Sequence, residues 1–439
     1  MTTGIYDVAV VGAGQAGLAM SYFLKRDGHH HVVLERGRIG NTWRTQRWDA
    51  FALNTLNCVN DLPGAPYDGE EPDGFWLGRE LVAYFERYAE DFKLPIRTGV
   101  TVKSVERESR GESFRLELDT AKGKETLLAR SVIIASGGMQ APRVPAVGKQ
   151  LPREIVQLHT GNYRNPESLP AGAVMVVGSA QSGCQITEDL LEAGRQVYLC
   201  TSKVGRRPRR HRGRDASLWS MEMGYFDVTV DELPDKSIIN APNAQSSGVG
   251  RYGRTVSLQQ MARNGAVILG RLLDVGRGRF VFGDDAAENV RFADARSAHV
   301  KREIDAYLER TGIALPPLED DPADAPDPNA DCASPIRRLD LQEANISTVI
   351  WATGFTADFS WIRLPVLDQK GMPVHRRGAS AVPGIYFLGL HWLHSRKSGL
   401  IRGVGEDAAY LAGVISVQLA PKPASAPPIR LASNDQGAI

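Results

Sequence analysis

The stretch Val8-Ala9-Val10-Val11-Gly12-Ala13-Gly14-Gln15-Ala16-Gly17 decides the fold. Apolar, strand-prone residues run into a GxGxxG motif, and apolar positions then recur through Leu18, Tyr22 and Leu24 up to Gly28. That order predicts strand, glycine turn, helix. His31-Val32-Val33-Leu34 reads as a return strand and completes a βαβ unit of the usual length. In this context the glycines have separate duties. Gly12 permits the sharp turn, Gly14 removes a Cβ that would block a diphosphate, and Gly17 lets helix and strand approach closely. The helix start offers Gln15 and Ala16 with unpaired N–H groups and the positive end of the dipole. Glu35 follows Gly17 by eighteen residues, at the end of the second strand, where a carboxylate binds ribose hydroxyls and repels a 2′-phosphate. This site suits FAD or NAD rather than NADP.

Further along, Ala173-Val174-Met175-Val176-Val177 runs into Gly178-Ser179-Ala180-Gln181-Ser182-Gly183, a helix pattern spans about Cys184 to Ala193, and Gln196 to Cys200 supplies the return strand. Ala180 stands where the middle glycine would be. The position corresponding to Glu35 is Thr201, followed by Ser202 and Lys203, with Arg206, Arg207, Arg209 and Arg210 downstream. Hydroxyls and a cation in place of a carboxylate are what a 2′-phosphate needs, which predicts NADPH. An arginine run without a phosphate ligand is the competing reading. Two dinucleotide sites of opposite preference imply hydride passing from a nicotinamide to a second, tightly held cofactor, for which FAD is the natural acceptor.

Between the units, an amphipathic helix is predicted from Gly78 to Lys93, and strands around Val100 to Glu106, Phe114 to Leu118 and Ser131 to Ala135. Proline-rich Ala141 to Ala146 reads as a linker, and the acidic, proline-rich 314–335 as a solvated loop. Ser347 to Ala352 and Gly384 to Leu388 read as buried strands, and Asp407 to Val417 as a closing helix. The expected organisation is α/β: two Rossmann-like nucleotide-binding domains, the NADPH domain (146–335) inserted into an FAD domain (1–145 and 336–420), with a disordered tail at 421–439.

Composition agrees with a soluble globular chain. Of 439 residues 42% are hydrophobic and 23% charged, and 52 basic residues nearly cancel 51 acidic ones. No whole-molecule field would recruit nucleic acid or an anionic membrane. Cys58, Cys184, Cys200 and Cys332 lie far apart, with no CxxC, so neither a metal site nor a redox dithiol is indicated, and a reduced cytoplasm is expected. No apolar run approaches a membrane span, and a strand pattern starting at Ile5 leaves no room for a signal peptide.

The two fingerprints, together with Ile350-Trp351-Ala352-Thr353-Gly354-Phe355, resemble the three-part pattern of the flavin-containing (class B) flavoprotein monooxygenases. Gly40-Asn41-Thr42-Trp43-Arg44, Leu53-Asn54-Thr55, Asp61-Leu62-Pro63-Gly64, the Arg207 to Asp215 run and Gly403 to Ala408 are similar to the YUCCA-like and bacterial CzcO-like branch. The resemblance implies a flavoprotein monooxygenase: NADPH reduces FAD, O₂ gives a C4a-(hydro)peroxyflavin, and one oxygen atom enters a small organic substrate at nitrogen, sulfur or a carbonyl. It places Asn54 at the flavin edge as the catalytic candidate. Arg36, Trp43, Arg44, Val102 and Gly405 join the FAD-contact set, and Gly403 to Gly405 opens a helix facing the flavin. His391, Trp392, His394 and Arg396 could line a substrate pocket or form a structural seam. The family's FxGxxxHxxxY/F sequence is reduced here to His159 and Tyr163, with Arg153 and Ile155 at the Phe and Gly positions. His159 is expected to pack between domains. Partners are then substrate and O₂, with both a monomer and a homodimer open. A quinone-directed NAD(P)H reductase and a non-enzymatic flavin redox sensor share both fingerprints and are the alternatives.

Overall fold

A computed structural model describes residues 4–109, 112–242, 244–246, 248 and 253–420, so the expected disordered tail lies outside the described residues. The chain opens with β1 (Tyr6–Val11), α1 (Gln15–Arg26) and β2 (His31–Glu35), then a short α2 (Asn41–Thr45) and α3 (Gly78–Asp91). Glu80 begins α3 by accepting the Leu77 N–H at 2.9 Å, which relieves one unpaired donor of the first turn. Strands β3 (Ile96–Thr98), β4 (Val100–Arg107), β5 (Phe114–Thr120) and β6 (Gly123–Ile134) follow. β6 pairs in parallel with β1, and its apolar end, Val132 to Ile134, is fully buried. The expected strand at Ser131 is thus the tail of a longer one, whose solvated first half lacks an apolar signature.

After β7 (Ala141–Pro142) the chain enters a second sheet through β8 (Val156–His159), β9 (Ala173–Val177), α4 (Gln181–Glu192) and β10 (Val197–Cys200). A small hairpin, β11 (Arg210–His211) and β12 (Arg214–Asp215), precedes α5 (Ala216–Glu222) and α6 (Leu258–Arg263). Then come β13 (Val267–Leu269), the antiparallel β14 (Leu272–Gly276) and β15 (Arg279–Phe282), and the long α7 (Ala286–Thr311). Gly312, at φ +70°, ends α7 in the left-handed conformation. β16 (Arg338–Asp340) joins β15, and β17 (Ile346–Trp351) inserts between β9 and β8, giving a parallel sheet ordered β13-β10-β9-β17-β8.

The chain returns through β18 (Phe355–Thr356), which pairs antiparallel with β7. β19 (His375–Arg376), β20 (Ala379–Ser380) and β21 (Ile385–Phe387) complete the first sheet, ordered β19-β20-β21-β6-β1-β2-β3, and α8 (Ile401–Leu419) packs on α1. Each sheet has its own apolar core, around Val8, Leu18, Ile133 and Leu411 in the first and Val176, Ile186, Leu199 and Ile350 in the second.

One expectation needs correction. The expected return at 336 is too early, because β16 and β17 belong with the second unit and the crossing falls at β7 and β18. A single apolar strand such as Ile346–Trp351 does not reveal which sheet it joins. The 314–335 segment is largely exposed and without helix or strand, as expected, although Asp324 within it is buried and ion-paired.

Candidate functional site

The first glycine turn is shaped by contacts that admit no side chain. Gly12 has φ +109°, and a Cβ there would lie 2.6 Å from the Ala135 carbonyl oxygen; a Cβ on Gly17 would lie 1.8 Å from that of Gly12. Gly14 is different, since nothing lies within 4 Å of its would-be Cβ. Its missing side chain leaves an open cradle. α1 begins at that cradle with no side-chain cap, so its first N–H groups point toward it unpaired. Glu35 is buried at the end of β2, and its two oxygens accept from Ala13 N and Gly37 N, each at 2.9 Å. A carboxylate offers about four acceptor sites, so Glu35 is fixed in place and can still take ribose hydroxyls. These residues fit a dinucleotide of the FAD type.

Two further elements converge on the same turn. Trp43 on α2 donates its Nε1 to Gln15 Oε1 at 3.0 Å, and Gln15 Nε2 donates to the Gly399 carbonyl at 3.3 Å. Gly399 immediately precedes α8, whose N-cap, Leu400, also provides no side-chain acceptor. α8 starts six residues before the expected Asp407, and Gly405 packs within its second turn against Pro63. The buried Asp407 carboxyl is pushed above its ordinary value by burial, against the opposing hydrogen bond from Ser398. The Ser398 hydroxyl also accepts the N–H groups of His394 and Ser395, which fixes the loop before α8.

The other first-unit candidates are dispersed. Arg36 is exposed, and Val102 is half-buried on β4. Arg44 turns to the Ile39 carbonyl, at 3.0 Å, and to Glu86 on α3, so its guanidinium is already neutralised within the protein. Asn54 is half-buried in the loop after α2; its backbone carbonyl accepts from Arg209 Nη1 at 3.1 Å, while its side-chain amide has no hydrogen-bond partner among the described residues. His391 is exposed, whereas Arg396 stacks on Tyr225 and Trp392, at 4.0 and 4.7 Å from the ring centroids.

The second turn repeats the first. A Cβ on Gly178 would lie 2.5 Å from the Ala352 carbonyl oxygen, and one on Gly183 1.9 Å from that of Gly178. Ala180 has φ −77° and ψ −178°, close to the −86° and −171° of Gly14, so the alanine carries no backbone strain. Its methyl occupies space that is open in the first cradle. α4 likewise starts without a side-chain cap. Ser179 Oγ accepts the Ser202 N–H at 3.1 Å and ties the turn to the end of β10, where exposed Lys203 pairs loosely with Glu288 at 2.8 Å. These residues fit a second dinucleotide held by a shallower cradle.

Arg206 overturns its expected role. Its side chain is 1% exposed, donates to Asp294 Oδ1 at 2.7 and 2.9 Å and to Ser297 Oγ at 3.1 Å, and also binds Asp324. A guanidinium enclosed by two carboxylates is not available to a phosphate. Arg209 is buried as well, paired to Asp215 at 2.5 Å. Arg206 and Arg209 are thus structural, whereas Arg210 is exposed, as is Lys203 at the strand end beside half-buried Ser202. His159 is also structural: Nε2–H donates to the Gly354 carbonyl at 2.8 Å, Nδ1 accepts from Gly161 N, and burial lowers its pKa. Tyr163 donates to Asp189 at 2.6 Å.

Sequence reading missed the residues that fasten the two units together. Arg164 donates to carbonyls of Thr45 and Arg47, Gln185 Nε2 to that of Ala52 at 3.4 Å, and Arg209 to those of Asn54 and Ser246. Side chains bonding to distant carbonyls leave no local sequence signal.

Two uncapped helices behind glycine turns, each with its own strand-end chemistry, define a class: oxidoreductases that bind two dinucleotides. The chain belongs, within that class, to the class B flavoprotein monooxygenase family, in its CzcO-like branch. It is 32% identical over 410 residues to an uncharacterized CzcO-like oxidoreductase from Geobacillus kaustophilus, covering 93% of this chain and 97% of that one. An indole-3-pyruvate monooxygenase of the YUCCA type from Oryza sativa subsp. japonica is 25% identical, with 95% and 93% covered. Residues 9–221 match the pyridine nucleotide-disulphide oxidoreductase family. A flavin-containing monooxygenase from Stenotrophomonas maltophilia shares the fold, with a TM-score of 0.62, 19% identity, and coverage of 95% of this chain and 100% of that one. No helix among the described residues is long and apolar enough to cross a membrane.

Proposed function

We propose that this protein is an NADPH-dependent FAD monooxygenase that transfers one oxygen atom of O₂ to a small organic substrate. The observation that carries this reading is the pair of glycine turns with equal backbone geometry and opposite strand ends, Glu35 at one and Thr201-Ser202-Lys203 at the other. Relatives named as flavin and indole-3-pyruvate monooxygenases support it. A dithiol-based disulfide reductase is disfavoured, because all four cysteines are free and Cys184 and Cys200 are buried, with burial pushing both thiols up.

The flavin, when bound, supplies the redox chemistry toward nicotinamide and O₂. The chain's own residues bind and orient. α1 and Gly14 hold the FAD diphosphate, Glu35 the ribose, and Trp43 and Gln15 fasten the covering segment. The start of α8, which has no side-chain cap, would offer N–H groups to a flavin ring system on which negative charge develops. Asn54, with a free amide able to donate and accept at constant charge, orients the reacting edge. α4 and Lys203 would hold NADPH, the exposed ammonium supplying the cation that a 2′-phosphate needs.

Anaerobic titration of the yellow protein tests the donor assignment. NADPH is expected to bleach the flavin absorbance much faster than NADH does at equal concentration. Equal rates would remove the 2′-phosphate reading, and no bleaching by either would remove the reductive half of the proposal.

A further inference from the structure

The contacts between the two units include two of different character. The first is a seam built on residues 45–54. Buried Trp48 packs into the apolar core of the second unit with Tyr163, Leu169 and Leu190, and Asp49 N donates to the Arg164 carbonyl at 2.8 Å. Apolar burial of that kind is non-directional. One short loop fixes a point of contact between two bodies and not the angle between them.

The second contact is a strap. After α5, Gly224 turns the chain at φ +72°, and residues 225–230 run antiparallel to 394–397, the loop that precedes α8. Val230 N donates to the His394 carbonyl at 2.9 Å, Arg396 N to that of Val228 at 3.0 Å and Lys397 N to that of Phe226 at 3.1 Å. Arg396 also donates from Nε to the Tyr225 carbonyl and from Nη1 to the Tyr225 hydroxyl, each at 3.0 Å. Tyr225, Phe226, Val228 and Val230 are only half-buried. A segment held by hydrogen bonds with little apolar burial belongs to the readily opened part of a fold.

Lys397 closes the strap. Its side chain is 12% exposed, and its ammonium lies 2.6 Å from Asp227 on the strap and 2.6 Å from Glu406 on α8. One cation thus joins three elements: the second unit, the loop and the helix whose start would be offered to the flavin. Its backbone is equally tight against that helix, since a Cβ on Gly403 would lie 2.2 Å from the Lys397 carbonyl oxygen. An ammonium largely withdrawn from water between two carboxylates holds more firmly than a surface pair. The carboxylates themselves are 57% and 62% exposed, so removing the ammonium loosens the strap without leaving a buried charge unpaired.

Hydride transfer between dinucleotides held by two units depends on how those units are set, and a misplacement of about 1 Å can cost about a hundredfold in rate. We propose that Lys397 is a positioning residue for flavin reduction: by clamping 225–230 to the loop before α8, it fixes the second nucleotide site against the flavin-facing helix. The proposal rests on the two-dinucleotide reading above. It is tested in flavin-loaded protein by amide hydrogen exchange at Val230 and Arg396, and by the limiting rate of anaerobic bleaching with NADPH, read apart from the half-saturating concentration. Lys397→Met is expected to speed exchange at both amides, to lower the limiting rate about tenfold or more, and to leave the half-saturating concentration within about twofold. Lys397→Arg is expected to restore all three. Thr229 and Ser395 face each other as a non-hydrogen-bonded antiparallel pair, and the Cα atoms of such pairs lie about 4.5 Å apart, within reach of a disulfide. Thr229→Cys with Ser395→Cys, oxidised in the Lys397→Met background, should therefore also restore the rate. Should Lys397→Met fail to fold, Asp227→Asn, which alters only the exposed side of the clamp, is read in the same way. Unchanged exchange, faster exchange with an unchanged limiting rate, or a lowered rate that the disulfide does not restore would each overturn the assignment. Wild-type flavin bleached by neither NADPH nor NADH would instead overturn the two-dinucleotide reading itself.

Discussion

Replacing Arg206 by alanine separates a buried structural arginine from a phosphate ligand. Arg206 bridges α7 to the 314–335 segment through Asp294, Ser297 and Asp324. Removing it leaves two buried carboxylates short of a cation, for which losses of about 3–5 kcal/mol are usual. The remaining partners set the magnitude. Asp324 keeps Lys301, and Asp294 keeps Gln259 Nε2 at 3.0 Å and the Asp327 N–H at 2.7 Å. The cost should therefore fall at the lower end, about 3 kcal/mol, or a fall in Tm of roughly 6–12 °C for a cooperative unit of this size. Burial pushes the Asp324 carboxyl up, but Lys301 and Arg206 outweigh it and hold it below the ordinary value. Its stabilising contribution is then complete above an unfolded pKa of about 3.9 and is lost as pH falls through the lower folded value. Thermal unfolding of the wild type and of Arg206→Ala at neutral pH measures the first effect, and the gap between them should narrow only below about pH 4. A variant of wild-type stability whose KM for NADPH alone has risen would refute the structural role and restore the phosphate contact.

Other consequences are more local. Gly14→Ala should keep the apo-protein's Tm and weaken FAD retention at least tenfold, whereas Gly12→Ala, at φ +109° with a backbone oxygen 2.6 Å away, should fail to fold; flavin content and circular dichroism of the two variants read this. Lys203→Ala should raise KM for NADPH about tenfold and spare NADH, since its ammonium is exposed and only loosely paired with Glu288; parallel changes for both donors would remove it from the 2′-phosphate site. Asn54→Ala should leave flavin reduction intact while shifting NADPH oxidation from product toward H₂O₂, and an unchanged coupling ratio would dismiss its role at the flavin edge.

The legible parts of this molecule were those with local rules. Gly12, Gly14 and Gly17 lie within six residues, and both their backbone geometry and Glu35 follow from the βαβ pattern. The second turn was equally readable, and Ala180 proves compatible because its backbone is extended rather than left-handed. Arg206 and Arg209 misled because a run of arginines looks the same whether its partners are phosphates or carboxylates. The carboxylates that hold Arg206, Asp294 and Asp324, lie 88 and 118 residues away, whereas Asp215, which holds Arg209, lies within the run itself. The position of Ile346–Trp351 in the second sheet was hidden for a related reason: strand order is set by crossovers that apolar runs do not encode. Lys397 had no motif at all, and only the fold brings its ammonium to Asp227.

The central claim is that electrons from NADPH pass through the flavin to O₂ and that one oxygen atom reaches an organic substrate. Turnover under isotopically labelled O₂, with amines, thioethers, ketones and 2-oxo acids offered in turn, tests it most directly. The account predicts substrate-stimulated NADPH oxidation and a product that carries one labelled oxygen atom. Rapid NADPH oxidation by quinones, with no label in any organic product, would contradict it.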